Sequence, residues 1–87
     1  MLPLSSDLVF MVDAAAEVAE LASALASTGN PNLRYDADAA ARIAVTVAEI
    51  GAELIGANLG ESEFTARARS AVGRARQAAT HLSAADG

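Results

Sequence analysis

Asn30, Asn32, Arg34 and Asp36 crowd the stretch Gly29 to Ala40, which joins two long alanine-rich segments. A plain connection needs about four turn-forming residues, whereas this one packs two asparagines, an arginine, a tyrosine and an aspartate into one short run. Amides donate and accept at once, a guanidinium holds a carboxylate by two parallel bonds, and a carboxylate faces a cation or carries a proton. The same residue types also cap helices and satisfy turns. The surplus of polar groups is the functional hint of this chain, and helix capping is its competing explanation.

Other residues capable of chemistry are sparse. His81 is the single histidine, in the last turn of an expected helix, where a cation suits the helix dipole. Glu49 and Glu53, four positions apart, could offer two carboxylates on one helix face, but they read more simply as a solvent stripe, and no metal is expected. Arg67, Arg69, Arg74 and Arg76 suggest either an anion-binding strip for phosphate or a polyglutamate tail, or a solvated face paired with acidic neighbours. Pairing is the simpler reading. The chain lacks cysteine, which excludes disulfides, thiolate metal sites and cysteine nucleophiles, and it contains neither a G-x-S-x-G elbow nor a glycine-rich phosphate loop.

Composition narrows the class further. With 87 residues the chain makes one domain or less, and 23 alanines against two phenylalanines, one tyrosine and no tryptophan leave few large core anchors. Closely approaching helices suit such a composition better than one bulky core. A net charge of −5 with no lysine argues against nucleic acid as partner, since counterion release needs a basic surface. The longest apolar run, Ile43 to Leu59, is interrupted by Glu49 and Glu53, so it is not a membrane span. No basic segment precedes the apolar residues of Met1 to Val12, so no signal peptide is expected, and a cytoplasmic location is.

The elements that must position the elbow all read as helix. After a short lead, Ser5 or Ser6 suits an N-cap, and Leu8, Met11, Ala15, Val18, Ala22 and Leu25 repeat at alternating spacings of three and four. This predicts a first helix over residues 7 to about 28, ended by Gly29 as a left-handed cap and by Pro31. The second is predicted over 36–59, opened near Asp36 and closed by Gly60, with Ile43, Val47, Ile50 and Leu54 as its seam. Ala40, Ala44, Gly51 and Ile55 extend its apolar surface around the cylinder, while Ala48, Ala52, Gly56 and Gly60 recur every four residues and would admit a close backbone. A helix apolar over most of its circumference must be buried on more than one side. The third is predicted from Glu61 or Ser62 to about residue 83, along Phe64, Ala68, Ala71, Ala75, Ala78 and Leu82. The expected fold is all-α, three long helices in an up-down arrangement completed as a helical bundle by oligomerisation, with a homo-oligomer or a second chain as partner.

The motifs also carry a resemblance. Gly29-Asn30-Pro31-Asn32 with Asp36 four residues on, preceded by the helical EVAELASALAS and followed by an apolar helix ending Gly56-Ala57-Asn58-Leu59, resembles the C-terminal half of the cyclodeaminase/methenyltetrahydrofolate cyclohydrolase family, the helical domain of formiminotransferase-cyclodeaminase. The resemblance spans roughly residues 14–59. It implies folate one-carbon chemistry: water addition to 5,10-methenyltetrahydrofolate, or cyclodeamination of 5-formiminotetrahydrofolate. It further implies Asp36 as the carboxylate that steadies the amidine-like cation and shuttles a proton, Asn30 and Asn32 on the pterin edge or a water, and Arg34 on a glutamate carboxylate of folate. No cofactor is implied beyond that substrate. The glycine-rich Thr-Pro-Gly-Gly-Gly-Ser-type stretch of the family's other half does not occur in this sequence, so activity is expected only in an oligomer or with a partner that supplies it. The alternative is a non-catalytic helical oligomerisation or partner-subunit module.

Overall fold

A computed structural model describes the backbone of residues 2–86 and the side chains of residues 6–82, all helical apart from two short connections. The helices are α1 (Leu2–Ala26), α2 (Pro31–Leu59) and α3 (Glu63–Asp86). They lie side by side in a rod of 44 × 18 × 14 Å, each touching both others. Cross-helix partners fix the up-down-up order. Arg67 reaches Asp13 and Arg74 reaches Glu20, so α3 runs parallel to α1, while Arg76 meets Glu49 on the antiparallel α2.

The helix starts differ from expectation for local reasons. α1 already runs from Leu2, which places Ser5 and Ser6 inside the helix rather than at its cap. Pro3 tolerates this because a first-turn N–H has no intrahelical partner to lose. α2 begins at Pro31, not near Asp36. Proline at the first helical position is pre-organised in φ, so the residue that stops α1 also starts α2. At the other end Gly60, at φ 61°, closes α2 as its N–H donates to the Gly56 carbonyl at 2.8 Å. Ser62 then caps α3, its Oγ accepting from the Thr65 N–H at 3.1 Å.

The interior is built from small residues. Along α1 the fully buried positions are Val12, Ala16 and Ala19; along α2 they are Ala41, Ala48 and Ile55; along α3 they are Ala68, Ala71, Ala75 and Leu82. The third helix buries the stripe expected of it, apart from a half-buried Phe64, and adds Val72. The other two do so only in part: Ala15 and Ala22 of the α1 seam are buried, and Leu8 and Val47 pack half-buried on the core. Other large side chains of the expected seams are turned outward: Val18 is 46% exposed, Leu25 52%, Ile43 65%, Ile50 50% and Leu54 47%. Neighbouring small residues take the inside, Ala37, Ala41, Ala44, Ala48 and Gly51 on α2.

Close approach explains the substitution of small for large. A Cβ on Gly51 would lie 2.4 Å from Val12 Cγ2 and 3.1 Å from Met11 Cε, so α1 passes directly over the Gly51 backbone. The close-approach glycine is therefore Gly51, and Gly56, expected in that role, has nothing within 4 Å of such an atom. Burying an alanine methyl is worth only about 0.8 kcal/mol, whereas each aliphatic side chain left half in water forgoes about 1 kcal/mol.

Opposite effects are expected at these two glycines. Gly51→Ala should lower stability by about 1–3 kcal/mol, because buried, β-branched Val12 has no free rotamer to yield into. Gly56→Ala should raise stability by up to about 1 kcal/mol through helix propensity alone. Denaturant unfolding of both variants measures the contrast.

Candidate functional site

The elbow is built by backbone bonds at the end of α1 and the start of α2. Ser27 and Thr28 donate backward to the carbonyls of Ala24 and Leu25, and Gly29 at φ 90° takes the left-handed turn that a side chain would resist. Asn30 is the N-cap of α2. It is extended (φ −85°, ψ 114°), its Oδ1 accepts from the Asn32 N–H at 3.0 Å, and its carbonyl accepts the first intrahelical bond, from the Arg34 N–H at 3.1 Å.

Because α2 starts at Pro31, the other three candidates are helical residues rather than turn residues. Asn32 and Asp36, four apart, share one face, whereas Arg34 lies about 200° around the helix from Asn32. The structure therefore brings Asn32 and Asp36 together, gives Asn30 a capping role, and sets half-buried Arg34 apart from them. Asp36 is exposed and stands at the mouth of a groove of about 300 Å³ between α1 and α2, alongside Leu21, Leu25, Leu33 and Ala40. That groove continues into a second, of about 440 Å³, walled by Met11, Val18, Ile43 and Val47 over a floor of Ala14, Ala15, Ala40 and Ala44. Among the described residues, Asp36 is the one charged group lining either of them. What the arrangement offers is an apolar trough bordered at one end by the carbon atoms of Asp36, whose carboxylate stands in solvent at the rim.

The remaining clefts carry ion pairs, although one of about 400 Å³ between α1 and α3 is largely apolar, with Val9, Phe10 and Phe64 beside Asp13 and Arg67. The one between α2 and α3, about 590 Å³, carries Glu49, Glu53, Arg69 and Arg76, of which Arg76 binds Glu49 and Arg69 binds Glu61 through both guanidinium nitrogens. Buried Thr65 sits at its base, with its hydroxyl on the Gly60 carbonyl. Arg67 pairs with Asp13 at 2.9 Å, and Arg74 grips both oxygens of Glu20 at 2.7 and 3.2 Å. All four arginines of α3 are thus engaged with acidic neighbours, which favours the pairing reading over an anion strip. His81 is exposed. Among the described residues no three histidine, aspartate or glutamate side chains gather as a metal site, and no helix is long and apolar enough to cross a membrane. Comparison with family models, with curated proteins and with solved structures finds no match to this chain.

The hydrogen bonds from Arg74 hold the Glu20 carboxyl below its ordinary value of 4.5, and those from Arg69 do the same for Glu61. A lowered folded-state value means that the Glu20 contribution is present in full above 4.5 and lost as pH falls through the lower value. The pair is half exposed and screened, so the loss should be about a few tenths of a kcal/mol. Thermal unfolding between neutral pH and pH below that value should show a smaller acid loss in Glu20→Gln than in the parent. Asn30→Ala should cost about 1 kcal/mol by removing the cap, with Asn30→Ser retaining most of it; chemical denaturation reads this directly.

Proposed function

We propose that this chain is a cytoplasmic, cyclodeaminase/cyclohydrolase-like helical half-domain of folate one-carbon metabolism, active only when another copy or a second chain covers the α1/α2 trough. The observation that supports this is the place of Asp36, the one charged residue bordering the apolar trough among the described residues, its carboxylate in solvent at the rim, with Asn32 one turn before it on the same helix face. A folate has matching parts: flat rings suited to apolar walls and an amidinium carbon that a carboxylate would steady. In the cyclohydrolase direction, water adds to that carbon and gives one proton to Asp36; that proton passes to the departing pterin nitrogen as the carbon–nitrogen bond breaks, and the adduct hydroxyl releases its own proton to solvent as it becomes the formyl carbonyl. Asn32 supplies an amide to the pterin edge or the attacking water. In the cyclodeaminase direction the arylamine nitrogen attacks the carbon of the protonated formimino group, its N–H proton passes by way of Asp36 to the amino group formed there, and ammonia leaves.

A second reading, of a non-catalytic oligomerisation or partner-subunit module, is favoured by a different observation. The Asn30 amide oxygen is already occupied by the Asn32 N–H, and Arg34 lies well around the helix, so half of the expected set is not gathered at the trough.

Calorimetry of the purified oligomer with 5,10-methenyltetrahydrofolate separates the two. The folate reading expects heat of binding, and in Asp36→Ala, an exposed change that should alter stability by no more than about 0.5 kcal/mol, turnover reduced roughly 100-fold or more. No heat with the parent, together with a purely structural effect of Asp36→Ala, leaves the non-catalytic module.

A further inference from the structure

The α1/α2 face is apolar along nearly the whole rod, and its relief is of two kinds. Val18 and Ile43 stand up as ridges, 46% and 65% exposed, while the alanines between them form a shallow floor. We infer that a second copy of this chain covers the face, the two α1/α2 surfaces packing on each other about a two-fold axis. This rests on the assembly that the proposed function requires, and not on its folate chemistry.

Shape is the first reason. A two-fold interface must be self-complementary, the same patch serving as ridge and as groove. Here both features lie on one surface, so the ridge of each copy has an alanine floor opposite to receive it.

Area is the second. Eight aliphatic side chains of α1 and α2, from Met11 at 38% to Ile43 at 65%, leave on the order of 600–700 Å² of apolar surface in water. The largest patch on an ordinary monomer is about 300–600 Å². A stable interface buries about 800 Å² per partner, which these side chains and the alanine floor together approach.

Charge is the third. The chain carries −5, so two copies repel unless they meet on a surface clear of carboxylates. The face between Met11 and Val47 offers that surface, since no charged residue lines it and Asp36 stands only at the far end. A charged partner chain would find nothing there to pair with, whereas a copy of the same face needs nothing. The arginines that could have recruited an acidic partner are on α3, held by Asp13, Glu20, Glu49 and Glu61.

Analytical ultracentrifugation of the full chain tests this without any variant. A mass of twice 8.8 kDa is expected, and a mass of 8.8 kDa at every concentration overturns the inference. Ile43→Glu should raise the dissociation constant roughly 30-fold or more, the effect of losing a central anchor, with its helical circular dichroism kept because Ile43 is mostly outside the monomer core. Ala66→Glu, on the exposed surface of α3, should leave the mass unchanged. A dimer indifferent to Ile43→Glu would place the contact elsewhere and also overturn the inference. Methenyltetrahydrofolate heats read separately: a monomer that binds the folate refutes the self-dimer and leaves the folate reading, and a dimer that does not bind refutes the folate reading alone.

Discussion

Where α1 crosses α2, the side chain of Val12 lies against a backbone that has room for no Cβ. That single close approach sets the distance between the two helices, and the distance sets everything packed beside it. At such a spacing only alanine and glycine fit between the backbones, which is why Ala44, Ala48 and Gly51 are inside and Ile43, Ile50 and Leu54 are not. The composition that made a bulky core implausible is thus resolved by thin walls rather than by large anchors. The exceptions are Ile55, Leu82 and Val12 itself, and each is completely buried.

The third helix completes the inside and leaves the outside open. It lays Ala68, Ala71, Ala75 and Ala78 into the inner groove of the first two, and its arginines bind acidic residues on both of them. Exposed ion pairs of this kind contribute little to stability individually. Their consequence is positional: Asp13 and Glu20 on α1 and Glu49 on α2 mark the flank on which α3 docks, opposite to the apolar trough. Aliphatic surface that would normally be covered within a domain of this size is instead gathered into one face, and the elbow with Asp36 stands at its end.

Much of this was readable from residue order, and the failures have identifiable causes. Three helices, the left-handed Gly29, the closure at Gly60 and the α3 stripe follow from capping chemistry and from the period of the apolar residues. The four arginines of the third helix likewise pointed to pairing with acidic neighbours. Period alone does not say which of two adjacent stripes faces inward. In α2 a bulky stripe and a small one run side by side at the same spacing, and a rule that favours size chooses the wrong one; in α1 the expected seam mixes both, and its alanines Ala15 and Ala22 are inside while Val18 and Leu25 are not. The start of α2 was obscured for a related reason, since proline ends one helix and begins another with the same restriction on φ. Moving that start to Pro31 turned Asn32, Arg34 and Asp36 from turn residues into helix residues and so dispersed the expected cluster around a cylinder. Gly51 could have been singled out as a glycine deep inside an otherwise uninterrupted helix, where it costs about 1 kcal/mol unless something packs against it.

The fold rests on thin-walled contact between α1 and α2 within one chain, with Ile43, Ile50 and Leu54 of α2 turned away from it. Isotope-filtered nuclear Overhauser spectroscopy, which separates contacts within a chain from those between chains, measures this most directly. Strong intrachain effects are predicted between the Val12 methyls and the Gly51 Hα, with none from the Ile43 methyls to the buried alanines of α3. Intrachain contacts from Ile43 or Ile50 to Ala71 or Ala75, with Val12 remote from Gly51, would contradict it.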